Sequence, residues 1–389
     1  MNKESEKHKQ KIVVYKFGGS ALACSIGQKT LKKEVLKAKT RAKSQNDARP
    51  AYTPVFVLSA IGKTQKNESD EKLTDLLIAY NEALKSGVKR KINACKLKIE
   101  SKLFLFFLSF YDEKTARKKA ETSFFKFFGC GKLLNDELIS RGEYFTAKTL
   151  SFVFGGSFCD PKNLIYLREN GLINFEKTAE SAKNALVSIK NPPFVCGFYG
   201  NQNGKIKLFP RGGGDESGAI LASVLNADLY VNYTDRCGIK NAPPDITDCA
   251  KTIKKICYSD LKTLCFSGAN VLSEEAATII CRKKLKTAVK NAIGNDPNAQ
   301  KTITAKKRKQ VFKAISFKKS NNGLCSVFLL GKGLKSKKNR KKAADILNAN
   351  AIPFAMRYDK KSVRFELSEA NAEKAIIILY KTFIAGKKP

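Results

Sequence analysis

Three short segments of this chain carry residue types suited to handling small charged molecules. The first is Lys16-Phe17-Gly18-Gly19-Ser20, where the apolar run Ile12 to Phe17 ends in two glycines. A lysine at a strand end beside residues without side chains offers a point charge and bare amide donors, the combination that phosphate oxygens want. The spacing fits neither a P-loop nor G-x-G-x-x-G, and taken alone it reads as a plain strand-to-helix turn.

The second segment, Arg211-Gly212-Gly213-Gly214-Asp215, is sharper. Its glycines stand at the mouth of a helix expected over Ser217 to Leu225, so their N–H groups lie at the positive end of the helix dipole. Arg211 has the fork that grips a carboxylate through two hydrogen bonds. Asp215 has two compatible roles, capping that helix or orienting the Lys16 ammonium near a phosphoryl group in transfer. The third segment is Arg141-Gly142-Glu143. Its carboxylate either receives the ammonium of an amino-acid substrate or joins a surface ion pair.

An α/β framework is needed to position these segments. Ile12 to Phe17 and Val55 to Leu58 read as buried strands, each followed by a loop and a helical pattern, Gln28 to Lys43 and Leu73 to Leu84. Lys89 to Lys126 is helical, rich in lysine and phenylalanine, and reads as an insertion. Phe194 to Phe198 and Ile206 to Phe209, with a turn at Asn201 to Gly204, read as a hairpin, and Leu229 to Tyr233 as a further strand. Strand, loop and helix in repetition predict a mostly parallel sheet covered on both faces, with ligands at the carboxyl ends of the strands. From about Asn295 the order becomes β, β, α, β, β, α, a small α+β module. The expected division is therefore 1–294, with the helical insertion near 89–126, and 295–389.

Composition narrows the class. The chain has 389 residues, 43% of them apolar, enough for a folded protein of two domains. It carries 73 Lys plus Arg against 35 Asp plus Glu, a net charge of +38, which raises the question of nucleic acid. The charges are spread lysines with no recognisable nucleic-acid module, so a solvated basic surface is the favoured reading and no nucleic-acid partner is expected. The 11 cysteines form no C-x-x-C pair, which predicts reduced thiols and no metal site of zinc-ribbon type. His8 stands alone in a polar opening segment, so no histidine triad is expected. Met1 to Lys11 lacks the apolar core of a secretory signal, and Leu103 to Tyr111 is too short to cross a bilayer. A cytoplasmic protein without a membrane partner is the expectation.

Taken in order, these segments resemble the aspartate kinases. Lys16 to Gly19 match the family's Lys-Phe-Gly-Gly opening, Val57 to Ala60 its strand ending in Ser-Ala, with Gly62-Lys63-Thr64 after it, and Gly142-Glu143 its Gly-Glu. Gly197-Phe198, Arg211 to Asp215, Leu225 to Asp228, Thr234-Asp235 with Gly238-Ile239, and Ser267 to Leu272 continue the match over nearly the whole chain. The resemblance implies the amino-acid kinase (carbamate kinase-like) three-layer fold, followed by a C-terminal ACT-like regulatory domain with room for a single or truncated module. It implies transfer of the γ-phosphoryl group of ATP, with Mg²⁺ bound to the nucleotide, onto the side-chain carboxylate of L-aspartate.

Further expectations come residue by residue from that resemblance. Lys16, Gly18, Gly19 and Ser20 would hold ATP phosphates, with Thr234 and Asp235 toward the nucleotide. Ser59, Thr64, Glu143, Phe198, Arg211 and Gly213 would surround aspartate, and Lys16 and Asp215 would assist transfer. Gly331 to Leu334 stands where an effector-binding loop is expected, and a homodimer or higher homo-oligomer is implied. Cys237, Lys240, Asp245 and Asn270 depart from the family pattern, mainly on the adenosine side. Two other readings therefore stay open, a degenerate kinase fold serving as an amino-acid-binding regulator and a kinase for another amino acid.

Overall fold

The structure is a computed structural model that describes residues 11–43, 52–64, 70–129, 133–187, 189–210, 213–269, 271–294, 301–305, 312–320, 323–331, 333–334, 336–359 and 362–385. Arg211, Gly212, Asn270, His8 and the boundary expected at Asn295 lie outside them. The chain divides into two compact units, Met1–Asp235 with Ala292–Asn295, and Arg236–Asn291 with Asp296–Pro389.

The first unit begins with β1 (Lys11–Phe17), α1 (Gly19–Leu22), α2 (Ser25–Lys43), β2 (Tyr52–Leu58) and α3 (Leu73–Ser86). Next come α4 (Lys89–Phe107), α5 (Glu113–Phe127), α6 (Asn135–Phe154), β3 (Ser157–Cys159), β4 (Tyr166–Leu167) and α7 (Phe175–Leu186). It continues through β5 (Pro193–Cys196), β6 (Tyr199–Gln202), β7 (Lys205–Leu208), α8 (Gly213–Val224) and β8 (Leu229–Thr234). Its main strands run in the order β3-β5-β2-β1-β8, every pair parallel. Val13, Val14, Phe17, Val55, Phe56, Val57 and Leu58 are all buried, the continuous apolar pattern of a sheet covered on both faces. Stacked rings tie the strands together: Tyr15 on Phe56 at 5.2 Å between centroids and Phe17 on Tyr233 at 4.5 Å.

Strand register decides which loops meet. Phe17 pairs with Leu58 and with Tyr233, so the loops leaving β1, β2 and β8 emerge side by side. Lys16 pairs with Val57 on one side and Asn232 on the other.

The stretch read as a helical insertion forms α4 and α5. Ile99, Leu103, Phe106 and Phe107 give α4 a buried stripe at helical spacing, while Leu97 and Leu105 are exposed. Asp112 caps α5 by accepting from the Thr115 amide at 2.9 Å.

The expected hairpin needs correction. Its antiparallel arms are β6 and β7, whereas Pro193–Cys196 belongs to the parallel sheet. Phe198 breaks the run between them, with a backbone φ of 80° that no strand residue adopts.

The second unit contains β9 (Lys255–Cys257), α9 (Tyr258–Phe266), α10 (Glu274–Lys283), β10 (Thr287–Asn291) and β11 (Lys301–Ala305). Its C-terminal part runs β12 (Lys313–Lys319), β13 (Leu324–Gly331), α11 (Lys337–Ala349), β14 (Ala355–Tyr358), β15 (Ser362–Ser368) and α12 (Glu369–Phe383). That is the expected β, β, α, β, β, α order, folded as an antiparallel sheet β12-β13-β15-β14. Leu347 of α11 and Ile376 and Leu379 of α12 share a core with Val327 and Phe365. The ten described cysteines are all free thiols, and no helix among the described residues is long and apolar enough to cross a membrane.

Candidate active site

Strand register brings two glycine turns together at the carboxyl ends of β1 and β2 and the start of α8. Gly18 donates its amide to the Tyr233 carbonyl at 2.9 Å, and Gly62 donates to the Gly19 carbonyl at 2.9 Å. The contact leaves no room for side chains: a Cβ on Gly62 would lie 2.4 Å from the Ser20 nitrogen, and one on Gly19 would lie 2.5 Å from the Ala60 oxygen. Gly214 meets the same constraint, since its Cβ would fall 2.6 Å from Ser59 Oγ.

At this junction Lys16 Nζ stands 2.6 Å from Asp215 Oδ1. Both side chains are largely buried, and Lys16 extends from the sheet while Asp215 sits in the first turn of α8. Asn232 Nδ2 also donates to Asp215 Oδ1, at 3.0 Å, and the Tyr230 hydroxyl donates to the Asp215 backbone carbonyl at 3.2 Å. Asn232 is 1% exposed, and its own Oδ1 is buried without a partner.

A cleft of about 360 Å³ opens here. Of the residues expected at the site, Lys16, Gly19, Ser20, Ser59, Glu143, Phe198, Gly213 and Asp215 line it. Gly18 lies just behind, where an added Cβ would come within 3.4 Å of Lys16 Nζ. Thr64 is not among the lining residues. Its amide and its hydroxyl both donate to Asp70 Oδ2, at 2.7 and 2.9 Å. Thr234 and Asp235 do not line this cleft either; the Thr234 hydroxyl donates to Asp235 Oδ1 at 3.0 Å. Arg211 lies outside the described residues.

Glu143 does not pair with Arg141. Residues two apart on a helix face different ways, and Arg141 reaches toward Glu137 and Tyr144 instead. Glu143 is buried at the cleft wall, where burial pushes its carboxyl up to about 8 although the Ala60 amide and the Thr74 hydroxyl favour the charged form. Oε1 accepts from Thr74 Oγ1 at 3.5 Å, and Oε2 has no partner. A buried carboxylate without a donor on one oxygen is costly, which is why the group keeps its proton, and an ammonium placed beside it would favour the charged form.

Phe198 is held in its left-handed conformation by its neighbours. Its amide donates to Ser217 Oγ at 3.0 Å, and its carbonyl accepts the Phe209 amide at 2.8 Å. A Cβ on Gly213 would strike the Phe198 ring at 2.8 Å, so glycine is needed for this loop to lie against α8.

Four lining side chains come from the start of α3 and were not foreseen: Lys72, Thr74, Asp75 and Ile78. No motif marks them. Their signal was the Thr-Asp at the head of an amphipathic helix, a pattern that equally suits a helix start in solvent. Asn232 was missed as well, although a lone amide inside the apolar strand Leu229 to Tyr233 is itself a signal for a polar partner.

The arrangement can hold an anion with phosphate character on Lys16 and the amides of Gly19 and Ser20, and a small zwitterion beside Glu143. The close glycine contacts and the lysine fit a nucleotide's phosphate tail.

Comparison with known proteins gives the same direction. The model of the amino acid kinase family matches residues 11–291. Aspartokinase 3 of Bacillus subtilis (strain 168) is 27% identical over 202 residues, 50% of this chain and 44% of that protein. The chain spans less than two thirds of the length of the curated relatives it matches. Among solved structures, the aspartate kinase of Clostridium acetobutylicum superposes with a TM-score of 0.70 at 23% identity, covering 95% of this chain and all of that one. Aspartokinase III of E. coli, solved with aspartate and ADP, gives a TM-score of 0.77 at 18% identity, covering 96% of this chain and all of that one. At those identities the two structures show a shared fold.

Proposed function

The chain belongs to the amino acid kinase family, and from that premise we propose that it transfers the γ-phosphoryl group of ATP to the β-carboxylate of L-aspartate, giving 4-phospho-L-aspartate. The observation that carries the reading is the 2.6 Å contact of Lys16 with Asp215 where two glycine turns meet.

Lys16, with the amides of Gly19 and Ser20, would take the phosphate oxygens and neutralise charge as the phosphoryl group moves, while Gly18, its own amide given to the Tyr233 carbonyl, would hold the turn in place. Asp215 would keep the Lys16 ammonium aimed at the group in transfer, itself steadied by Asn232. Glu143 would receive the substrate's ammonium on its unpartnered oxygen, with Thr74 alongside, and Arg211 would grip a substrate carboxylate. Ser59, Phe198 and Gly213 would complete that wall. Aspartate's side-chain carboxylate is already a nucleophile at neutral pH, so the residues need only align it and screen charge. Mg²⁺ accompanying ATP would supply further neutralisation of the phosphate oxygens.

Thr74 supports this assignment better than Thr64, because it lines the cleft and Thr64 is committed to Asp70. Thr234 and Asp235 are proposed on the nucleotide side. Residues 295–389 are proposed as an ACT-like regulatory module open to an amino-acid effector, within a cytoplasmic homo-oligomer.

The test is direct. Purified protein given Mg-ATP, aspartate and hydroxylamine should form the aspartyl hydroxamate. Folded protein that yields none, yet binds aspartate in calorimetry without binding ATP, would instead be an amino-acid sensor.

A further inference from the structure

The helical insertion contributes nothing to the cleft itself, yet it holds a buried charge that the proposed mechanism leaves unused. Lys102 of α4 is 5% exposed, and its Nζ lies 2.6 Å from Asp70 Oδ1. The other oxygen of Asp70 accepts both the amide and the hydroxyl of Thr64. Just inside that contact the Leu73 amide donates to the Ile61 carbonyl at 2.9 Å. Chain leaving β2 and chain entering α3 are thus pinned together at two successive points.

Two cleft residues sit beside those points. Gly62 packs against the Gly19-Ser20 backbone, and Thr74 meets Glu143 one residue into α3. Both line the cleft. We propose that Lys102 is a positioning residue that, through Asp70, fixes the relative placement of Gly62 and Thr74 and so sets the geometry of the substrate side of the cleft.

A purely stabilising role explains the pair poorly. Burial lowers the Lys102 pKa despite its partner, so the fold disfavours that charge, and buried ion pairs are often no more stable than apolar replacements. What the pair does supply is direction. Asp70 has one oxygen for the insertion and one for Thr64, which ties α4 to the neck of the loop. A second α4 lysine one turn earlier, Lys98, contacts Glu71 Oε2 at 2.7 Å, but that pair is exposed and serves as an internal control.

The inference rests on the reading of the cleft as an aspartate site, and the experiment separates the two. Lys102→Met should raise the KM for aspartate about tenfold with a much smaller change in kcat, since displacements near 1 Å at a binding wall are costly. Lys102→Met combined with Asp70→Asn should not recover that loss, because the stranded carboxylate is gone but the tie from α4 to the neck of the loop is still missing. Lys98→Ala should change KM less than about twofold. Hydrogen exchange gives a readout independent of turnover: the Thr64 and Leu73 amides should lose protection in Lys102→Met and in the double variant alike. A wild-type protein without turnover would count against the kinase reading alone. Unchanged protection at Thr64 and Leu73 in Lys102→Met, or recovery of the wild-type KM in the double variant, would overturn the positioning role.

Discussion

Two lysine–aspartate pairs within the first unit have the same length, 2.6 Å, and similar burial, yet their carboxylates are occupied differently. In the pair of Lys102 and Asp70, both oxygens are spoken for, one by the lysine and the other by the two donors of Thr64. In the pair of Lys16 and Asp215, the lysine and Asn232 both fall on Oδ1, and both members of the pair line the cleft. A saturated pair is a brace. A pair whose members face a cavity lined by close-packed glycines can exchange partners with a ligand, so partner counting rather than pair distance separates structural from chemical charges.

The largest effect expected from that contrast is at Lys16. Lys16→Met should lower kcat by a hundredfold or more, on the order of what loss of a preorganised donor to a transition state costs. Steady-state kinetics with urea unfolding of the same variant checks it. Normal turnover would place Lys16 with the braces.

Next in size is Glu143, a buried carboxyl with one oxygen unpartnered. Glu143→Gln should raise the KM for aspartate about tenfold to a hundredfold, the range for a lost charge-assisted hydrogen bond. The pH dependence has a definite sign. Burial lifts the folded carboxyl from the ordinary 4.5 to about 8, so the empty fold keeps a proton that the unfolded chain gives up. Stability of the empty protein should therefore fall as pH rises from about 4.5 to about 8, and Glu143→Gln should abolish that fall. Aspartate affinity should run the other way, rising up to about pH 8, since the ammonium needs the charged form. Thermal unfolding and calorimetry across that range read both trends. A pH-independent difference between the two proteins would show that the carboxyl is ionised throughout.

The contrast also explains what was legible in the sequence. Gly213 and Asp215 announced themselves because a run of glycines between an arginine and an aspartate has few other uses, whereas Gly18 and Gly19, which alone read as a plain turn, became legible only beside them. Lys102 carried no signal, being one lysine in a lysine-rich helix and distinguishable only by what packs over it. Thr64 and Thr74 both come after a buried strand at plausible distances, and only the docking of α3 against α6 decides which of them meets Glu143. The hairpin was misread because nothing in Gly197-Phe198 tells that a phenylalanine accepts a positive φ; surrounding hydrogen bonds impose it.

Asn232 sharpens the comparison with the smallest expected effect. It is buried inside an apolar strand, donates to Asp215, and leaves its own oxygen without a partner. A side chain serving stability alone would not be retained in that state, since leucine, with the same branching and number of side-chain heavy atoms, would remove an unsatisfied acceptor at the loss of one hydrogen bond. Asn232→Leu should therefore leave the unfolding midpoint unchanged or slightly raised while lowering kcat about fivefold, through an Asp215 carboxylate free to rotate away from Lys16. Asn232→Asp should be worse for turnover, because a second carboxylate would compete for the same ammonium. If Asn232→Leu lost stability and activity in proportion, Asn232 would be a brace of the Asp70 kind, and Asp215 would owe its orientation to Lys16 and the Tyr230 hydroxyl alone.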